Sequence, residues 1–333
     1  MNDKKVISII GTGSYVPEKI MTNQDLSNIM DTSDEWIYSR TGMRERRICE
    51  PNQSTSDLGA EAAKKALNDA KISASEVDLI IVATLSPDMF FPSTACFIQE
   101  KINANNAFCY DIGAACSGFL YALEVARVQL LESNSKIALV VGAEKMSMFL
   151  DWNDRSTSIL FGDGAGAAIL QKKNNGRGLL PAIMGSDGTL TNLLCTPGGG
   201  SSNPISHDMI DRKEHYIQMH GKEVFKHAVN RMGEAVIDVL KLNNISTDEI
   251  ACFIPHQANI RIIDAISKRL GVEDRMYSNI EKYANTSSAA LAIALDEAAH
   301  NSIIKKDDLV VLTAFGSGFT WGANILEWDK EYE

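Results

Sequence analysis

One of the chain's six cysteines, Cys116, has the surroundings of a nucleophile. In Asp111-Ile-Gly-Ala-Ala-Cys116-Ser-Gly-Phe it follows a strand-like run (Ala107 to Tyr110) and opens a helical pattern, Gly118 to Leu131. A thiol at a strand-to-helix turn lies beside unpaired backbone N–H groups and the positive end of the helix dipole, and both favour the reactive thiolate. Gly113, Ala114, Ala115 and Gly118 let the backbone turn sharply and a ligand approach. Taken alone, Cys116 reads first as core filler, because unpaired cysteine is among the most buried residue types.

Three further segments could act with it. Ile254-Pro-His256-Gln-Ala-Asn259 places a histidine at the end of a strand and before a helix. Open α/β folds bind ligands at such sheet edges, although a histidine there can also cap its own helix. Tyr283-Ala-Asn285-Thr-Ser-Ser supplies an amide at another loop-to-helix junction, where the plain reading is an N-cap. Phe315-Gly316-Ser317-Gly318 is a Gly-rich loop after a strand, whose N–H groups could hold an oxyanion or only make a tight turn. His207, His215, His220, His227 and His300 fall in polar loops or on helices and carry no assigned chemistry.

The elements that must position these residues alternate. Buried strands are expected at Val6 to Ile10, Leu79 to Ala83, Ile137 to Val141, Cys252 to Ile254 and Leu309 to Thr313. Helices are expected at Ser56 to Ala70, Gly118 to Leu131, Gly221 to Leu242 and Ala289 to Ala299. That alternation predicts α/β layering, with helices on both faces of mixed or mostly parallel sheets. A faint duplication runs through it. Phe161–Leu170 echoes Phe315–Leu326, Ile80–Pro87 echoes Ala251–His256, and Ala115–Leu123 echoes Asn285–Ile293, in the same order at offsets of roughly 155 to 170 residues. Two halves are expected, 1–175 and 176–333, divided in the polar stretch Lys172 to Gly178.

Bulk properties exclude other classes. The 333 residues suit two domains or a duplicated one. A formal net charge of −11 is a poor basis for nonspecific nucleic-acid binding, which needs phosphate neutralisation. No apolar run approaches the roughly 18 to 20 residues of a membrane span. The start, Met1-Asn2-Asp3-Lys4-Lys5-Val6, lacks a signal peptide's apolar centre, so a cytoplasmic protein with reduced thiols is expected. No Cys/His cluster has zinc-site spacing, and no metal is expected.

Together the motifs resemble the thiolase superfamily and, within it, β-ketoacyl-acyl-carrier-protein synthase III. The resemblance runs over nearly the whole chain: Gly11-Thr-Gly-Ser-Tyr-Val-Pro17, Thr32-Ser-Asp-Glu-Trp36, Ala114-Ala-Cys116-Ser-Gly, Phe161-Gly-Asp-Gly-Ala-Gly, Pro255-His-Gln-Ala-Asn, Asn285-Thr-Ser-Ser-Ala and Gly318-Phe-Thr-Trp-Gly. It implies a thiolase-like αβαβα fold of two pseudo-duplicated halves and a homodimer. It further implies that Cys116 takes an acyl group from acyl-CoA, most simply acetyl-CoA, as a thioester. His256 and Asn285 would then stabilise the enolate formed as malonyl-acyl carrier protein loses CO2. The N–H groups of Cys116 and Ser317 would form the oxyanion hole, and no cofactor beyond these substrates is expected. The product would be 3-oxoacyl-carrier protein, which starts fatty-acid synthesis. A relative in secondary metabolism, with another donor or acceptor, is the alternative.

The resemblance also assigns substrate contacts. Trp36 and Arg155 match an adenine clamp for CoA, Arg40 a nearby arginine, Asn259 the pantetheine tunnel, and Phe91 the residue that closes the acyl pocket, often across the dimer. Lys226, Arg261, Lys268 and Arg269 match a basic patch for the acidic carrier protein. Two positions depart from the pattern: Ser317 stands in place of glycine, and Lys222 in place of a frequent asparagine.

Overall fold

The computed structural model describes residues 5–332. Two mixed sheets carry the chain. The first holds β1 (Val6–Tyr15), β2 (Leu79–Ala83), β3 (Phe108–Ile112), β4 (Ile137–Glu144) and β5 (Gly164–Lys173), in the order β1-β5-β4-β2-β3. The second holds β6 (Ile183–Ser186), β7 (Ile250–Pro255), β8 (Leu309–Gly316) and β9 (Thr320–Glu327), in the order β7-β8-β9-β6. In both, one strand pairs antiparallel with each neighbour, while β2/β4 and β7/β8 are parallel.

The three sequence echoes fall on equivalent places. β5 corresponds to β9 and β2 to β7, each in the same position of its sheet. Even the edge strand β3 has a trace: Met276 makes an isolated parallel bridge to Phe253.

Seven helices set the layers and the mouth of the site: α1 (Asp34–Thr41), α2 (Thr55–Ala70), α3 (Thr94–Ile102), α4 (Gly118–Glu132), α5 (Gly221–Asn243), α6 (Ile260–Leu270) and α7 (Ser288–His300). α2 and α3 cover the outer face of the first sheet, α5 with α6 against it covers the outer face of the second, and α4 and α7 lie between the sheets. Each position is written in composition. α6 buries Ile262, Ile263 and Ile266 and exposes Arg261, Asp264, Lys268 and Arg269, so it has one apolar stripe and belongs at the surface. α7 buries Ala289 through Leu295 without interruption, which fits a helix enclosed by sheets on both sides. Its small residues permit a close approach: a Cβ on Gly166 of β5 would stand 2.5 Å from that of Ala292.

Although 178–327 supplies the second sheet, its helix α7 packs on β1, β4 and β5 of the first. The stretch 172–178 ends β5 and leads to Leu179, whose N–H donates to Ile7 of β1 at 2.8 Å. The layers therefore interlock the two halves instead of separating them. Among the described residues, no helix is long and apolar enough to cross a membrane.

Candidate active site

The inner helices α4 and α7 pack on each other, and Cys116 and Asn285 lie in the turns just before them. Cys116 lies in a single 3-10 turn, Ala115–Ser117, just before α4. Ala115 has φ 46°, a left-handed conformation that costs a non-glycine residue about 1–2 kcal/mol. The turn is held by bonds to the second sheet: Ser117 Oγ donates to the Thr320 carbonyl at 3.1 Å, and Thr320 Oγ1 to the Ala114 carbonyl at 3.0 Å. Gly316 lies directly against it, where a Cβ would stand 2.7 Å from the Cys116 nitrogen. The N–H groups of Cys116 and Ser317 make no hydrogen bond among the described residues.

The thiol is not the ready thiolate that its helix start predicts. Burial pushes the Cys116 pKa up to about 12, and the buried Glu144 adds to the rise. The helix terminus contributes about 0.3–1 kcal/mol, too little to offset removal of the thiolate from water. Ser287 Oγ, at 3.5 Å from Sγ, is its hydroxyl neighbour.

His256 follows β7, its own N–H bonded to the Thr313 carbonyl at 2.8 Å. The imidazole is buried, and neither ring nitrogen has a partner among the described residues. Burial lowers its pKa to about 4, so at neutral pH the ring is uncharged and presents one N–H donor. Asn285 is fixed from both sides: its N–H donates to Leu160 and its carbonyl accepts from Gly162. Its Oδ1 accepts the Ser287 N–H, which leaves the amide NH2 to donate.

Two cavities meet at Cys116. The narrower, about 270 Å³, contains His256, Asn285 and Gly316 at its inner end and reaches Asn259 and then Trp36. The wider, about 870 Å³, is apolar, walled by residues such as Leu85, Met146, Phe149 and Ile217, and bordered by Ser317. Phe161 and Leu194 border both cavities. The structure thus brings Cys116, His256 and Asn285 to one place.

At the mouth, the Arg155 guanidinium lies 4.9 Å from the Trp36 ring centre and that of Arg40 lies 4.3 Å from it. A base inserted between two such planes needs about twice the ~3.5 Å contact distance, so the guanidinium must swing aside to admit one. Arg155 is tethered to the Asp31 carbonyl at 2.6 Å. Asn259 caps α6, its Oδ1 accepting the Arg261 N–H at 2.9 Å, and also lines the narrow cavity.

Comparison with known proteins follows the same geometry. The family model for 3-oxoacyl-[acyl-carrier-protein] synthase III matches residues 110–188, and that for its C-terminal part matches residues 240–328. The β-ketoacyl-[acyl-carrier-protein] synthase III of Caldanaerobacter subterraneus subsp. tengcongensis is 49% identical over 99% of this chain and 100% of its own. The chain belongs to the β-ketoacyl-acyl-carrier-protein synthase III family. The solved structure of the Aquifex aeolicus enzyme is 44% identical, covers 97% of this chain and 100% of its own, and superposes with a TM-score of 0.90. The priming β-ketosynthase of the R1128 polyketide pathway is 32% identical, covers 100% of this chain and 99% of its own, and has a TM-score of 0.92. The layers described above are the αβαβα arrangement expected of a synthase III.

The remaining assigned positions of this synthase III chain are placed less directly. Phe91 is 84% exposed and does not line either cavity of its own chain; Met89 and Phe90 border the wide one instead. The whole segment 88–93 is half-buried or exposed. Lys226, on α5, and Arg261, Lys268 and Arg269, on α6, are exposed. Arg261 donates to the Ser39 carbonyl at 2.9 Å and Arg269 to Asn230 Oδ1 at 3.2 Å, so these two also tie helices together. Lys222 is exposed in the first turn of α5, beside Gly221 of the narrow cavity. The Ser317 hydroxyl, the extra group relative to glycine, donates to the Leu194 carbonyl on the wall between the cavities.

Sequence reasoning missed Ser287 and Glu144. Glu144 had a signal, a lone acid ending the apolar run Ile137–Ala143. Ser287 had none beyond its place two residues after Asn285.

Proposed function

We propose that this chain condenses an acyl-CoA starter with malonyl-acyl carrier protein, releasing CO2 and CoA, through an acyl thioester on Cys116. What carries the reading is that Cys116 sits on the wall between a narrow, donor-lined cavity and a wide apolar one. The first suits a pantetheine arm and the second the acyl group that arrives on it. CoA and the carrier protein are substrates here, and no resident cofactor is required.

Cys116 Sγ attacks the thioester carbonyl, whose oxygen takes the free N–H groups of Cys116 and Ser317, and CoA leaves. Malonyl thioester then enters the same narrow cavity. As its C–C bond to the carboxylate breaks, the electron pair moves to the thioester oxygen, where the His256 N–H and the Asn285 NH2 converge. An enolate needs charge stabilisation and no base, which suits a histidine kept neutral by burial. The enolate carbon attacks the acyl group, and the Cys116 sulfur leaves.

Lys226, Arg261, Lys268 and Arg269 give an acidic enzyme a local surface for an acidic carrier. Trp36 with Arg155 or Arg40 takes the adenine of CoA. A second copy of the chain covers the exposed Phe90 and Phe91, making a homodimer in which Phe91 caps the partner's wide cavity. We place the reaction in the cytoplasm.

The test is to incubate the protein with a panel of acyl-CoAs and identify the mass added to the Cys116 peptide. An acetyl adduct that disappears in Cys116→Ala supports the reading, and an adduct retained there refutes it. Likeness to the priming β-ketosynthase favours a second reading, a starter enzyme with another donor or acceptor. Preference for a pair other than acetyl-CoA and malonyl-acyl carrier protein would select it.

A further inference from the structure

Away from the site, two thiols hold their sulfurs in contact. Cys109 Sγ, on β3, lies 3.6 Å from Cys96 Sγ, on α3. Both are free and half-buried, whereas Cys49, Cys116 and Cys252 are buried. A small solute therefore reaches this pair more readily than it reaches those three.

The surroundings give the two sulfurs different parts. Cys96 is the third residue of α3, in the first turn, where the helix dipole favours a negative sulfur. Ser93, at the N-cap, makes no cap bond with its hydroxyl, which lies 3.3 Å from Cys96 Sγ instead. Cys109 shares its S–H between that sulfur and Gln99 Oε1, 3.5 Å away. The Gln99 amide is turned this way because its NH2 donates to the Ala107 carbonyl at 2.6 Å and the Ala104 carbonyl at 3.3 Å. Cys96 is thus the sulfur that receives hydrogen bonds, and Cys109 is the one that gives them.

One carboxylate faces the pair. Asp111 accepts the Thr94 N–H at 2.6 Å and the Ala95 N–H at 2.8 Å, so it offsets part of the helix dipole at Cys96. Burial first, then the contact with Cys96 and the charge of Asp111, push the Cys109 thiol up to about 12. Cys109 therefore stays protonated while Cys96 reacts.

We propose that Cys96 and Cys109 are a redox-active thiol pair, which a low-molecular-weight disulfide closes into an intrachain disulfide joining α3 to β3. The Cys96 sulfur, its proton lost, attacks one sulfur of the small disulfide; that S–S bond breaks, and the first small thiolate leaves and takes up a proton. Cys109 then loses its proton and attacks the Cys96 sulfur of the mixed disulfide, and the second small thiolate leaves as a thiol. The protein gives up two electrons and two protons, and the small disulfide is reduced to two thiols. Excess small thiol reverses both steps. The sulfurs must close from 3.6 Å to the ~2.05 Å of a bond, about 1.5 Å shared between two side chains. Attack by Cys109 is intramolecular, so the mixed disulfide is short-lived.

The bond would tie two parts of the wide cavity's frame. Asp88, Met89 and Phe90, which border that cavity, lead into α3, and β3 leads through Asp111 to Cys116. In a reducing compartment the pair rests as two thiols and closes only under oxidative load.

The experiment treats the whole protein with glutathione disulfide and blocks remaining thiols with iodoacetamide. Tandem mass spectrometry of the cysteine peptides and a non-reducing gel follow. The wild type should give a Cys96–Cys109 cross-link within one chain that dithiothreitol removes. Cys109→Ser cannot resolve the first step and should keep a glutathione adduct on Cys96. In Cys96→Ser, Cys109 should be modified roughly 10-fold more slowly than the wild-type cross-link forms. Phenylarsine oxide, which bridges two close thiols, should shield both wild-type peptides from iodoacetamide together, a reading that needs no variant. A lasting glutathione adduct on wild-type Cys96, or a cross-link between two chains, would overturn the pairing. Modification of Cys109 in Cys96→Ser as fast as the wild-type cross-link would overturn the order of attack.

Discussion

The Asn285 side-chain oxygen accepts the Ser287 N–H at 2.8 Å, and that bond decides which end of the amide is left for a substrate. With the oxygen occupied, only NH2 can meet a developing enolate. Asn285→Asp keeps the bond to Ser287 but replaces the donor with a carboxylate. Condensation should fall about 10²–10³-fold, the usual cost of an oxyanion donor, while acyl loading of Cys116 stays within a few-fold. Parallel assays of CO2 release and Cys116 adduct mass check this. Loss of loading with intact CO2 release would reverse the roles given to the two residues.

His256 makes a second prediction, through pH. Its folded pKa of about 4 lies below the usual 6.5, so the unfolded chain binds more protons between these values. Stability should therefore fall as pH drops through that window, by about 3 kcal/mol in all from this group. Urea unfolding of the wild type and His256→Gln at pH 7 and pH 5 measures the difference. The variant should lose less stability on acidification. Equal losses would mean that the imidazole is not held neutral.

The elements were legible where pattern and environment agree. Leu79–Ala83 matches its apolar run because both faces of β2 are buried. The expected helix Gly118 to Leu131 likewise matches α4 to within one residue. By contrast, the two-residue strands Leu194–Cys195 and Gln218–Met219 are too short to show periodicity, yet Leu194 and Met219 line the site. At the site, the residue types and order of Cys116, His256 and Asn285 were legible. The thiol's raised pKa was not, because it comes from burial in the folded chain and from the buried Glu144, while Ser287, 171 residues away, pulls it the other way. Arg40 over Trp36 could have been read from its i,i+4 spacing on a helix.

Gly316 should prove as sensitive as the named catalytic residues. A methyl there would stand 2.7 Å from the Cys116 nitrogen and 3.0 Å from that of Ser117, both backbone atoms. Gly316→Ala must push the nucleophile turn away from the oxyanion loop. Acyl loading is expected to drop at least 10²-fold, with a stability loss of about 1–3 kcal/mol from overpacking. Loading kinetics and thermal unfolding on the same sample separate the two effects. Near-normal loading would show that the Cys116 and Ser317 N–H groups need not share one fixed geometry.

Trp36 tests the mouth separately from the chemistry. Its ring carries guanidinium planes from both Arg40 and Arg155, so one arginine can move aside while the other still covers the indole. Adenine should then replace one cation on a ring that stays stacked. Trp36→Ala removes the platform but lies at the far end of the narrow cavity from Cys116. KM for acetyl-CoA should rise about 3- to 30-fold, the span of one to two cation–π contacts, with kcat held. An acetyl-pantetheine thioester has no adenine, so the variant and the wild type should use it equally well. If the pantetheine thioester suffers as much as acetyl-CoA, Trp36 supports the tunnel wall through Ile37 and Thr41 of the same helix and is not the adenine platform.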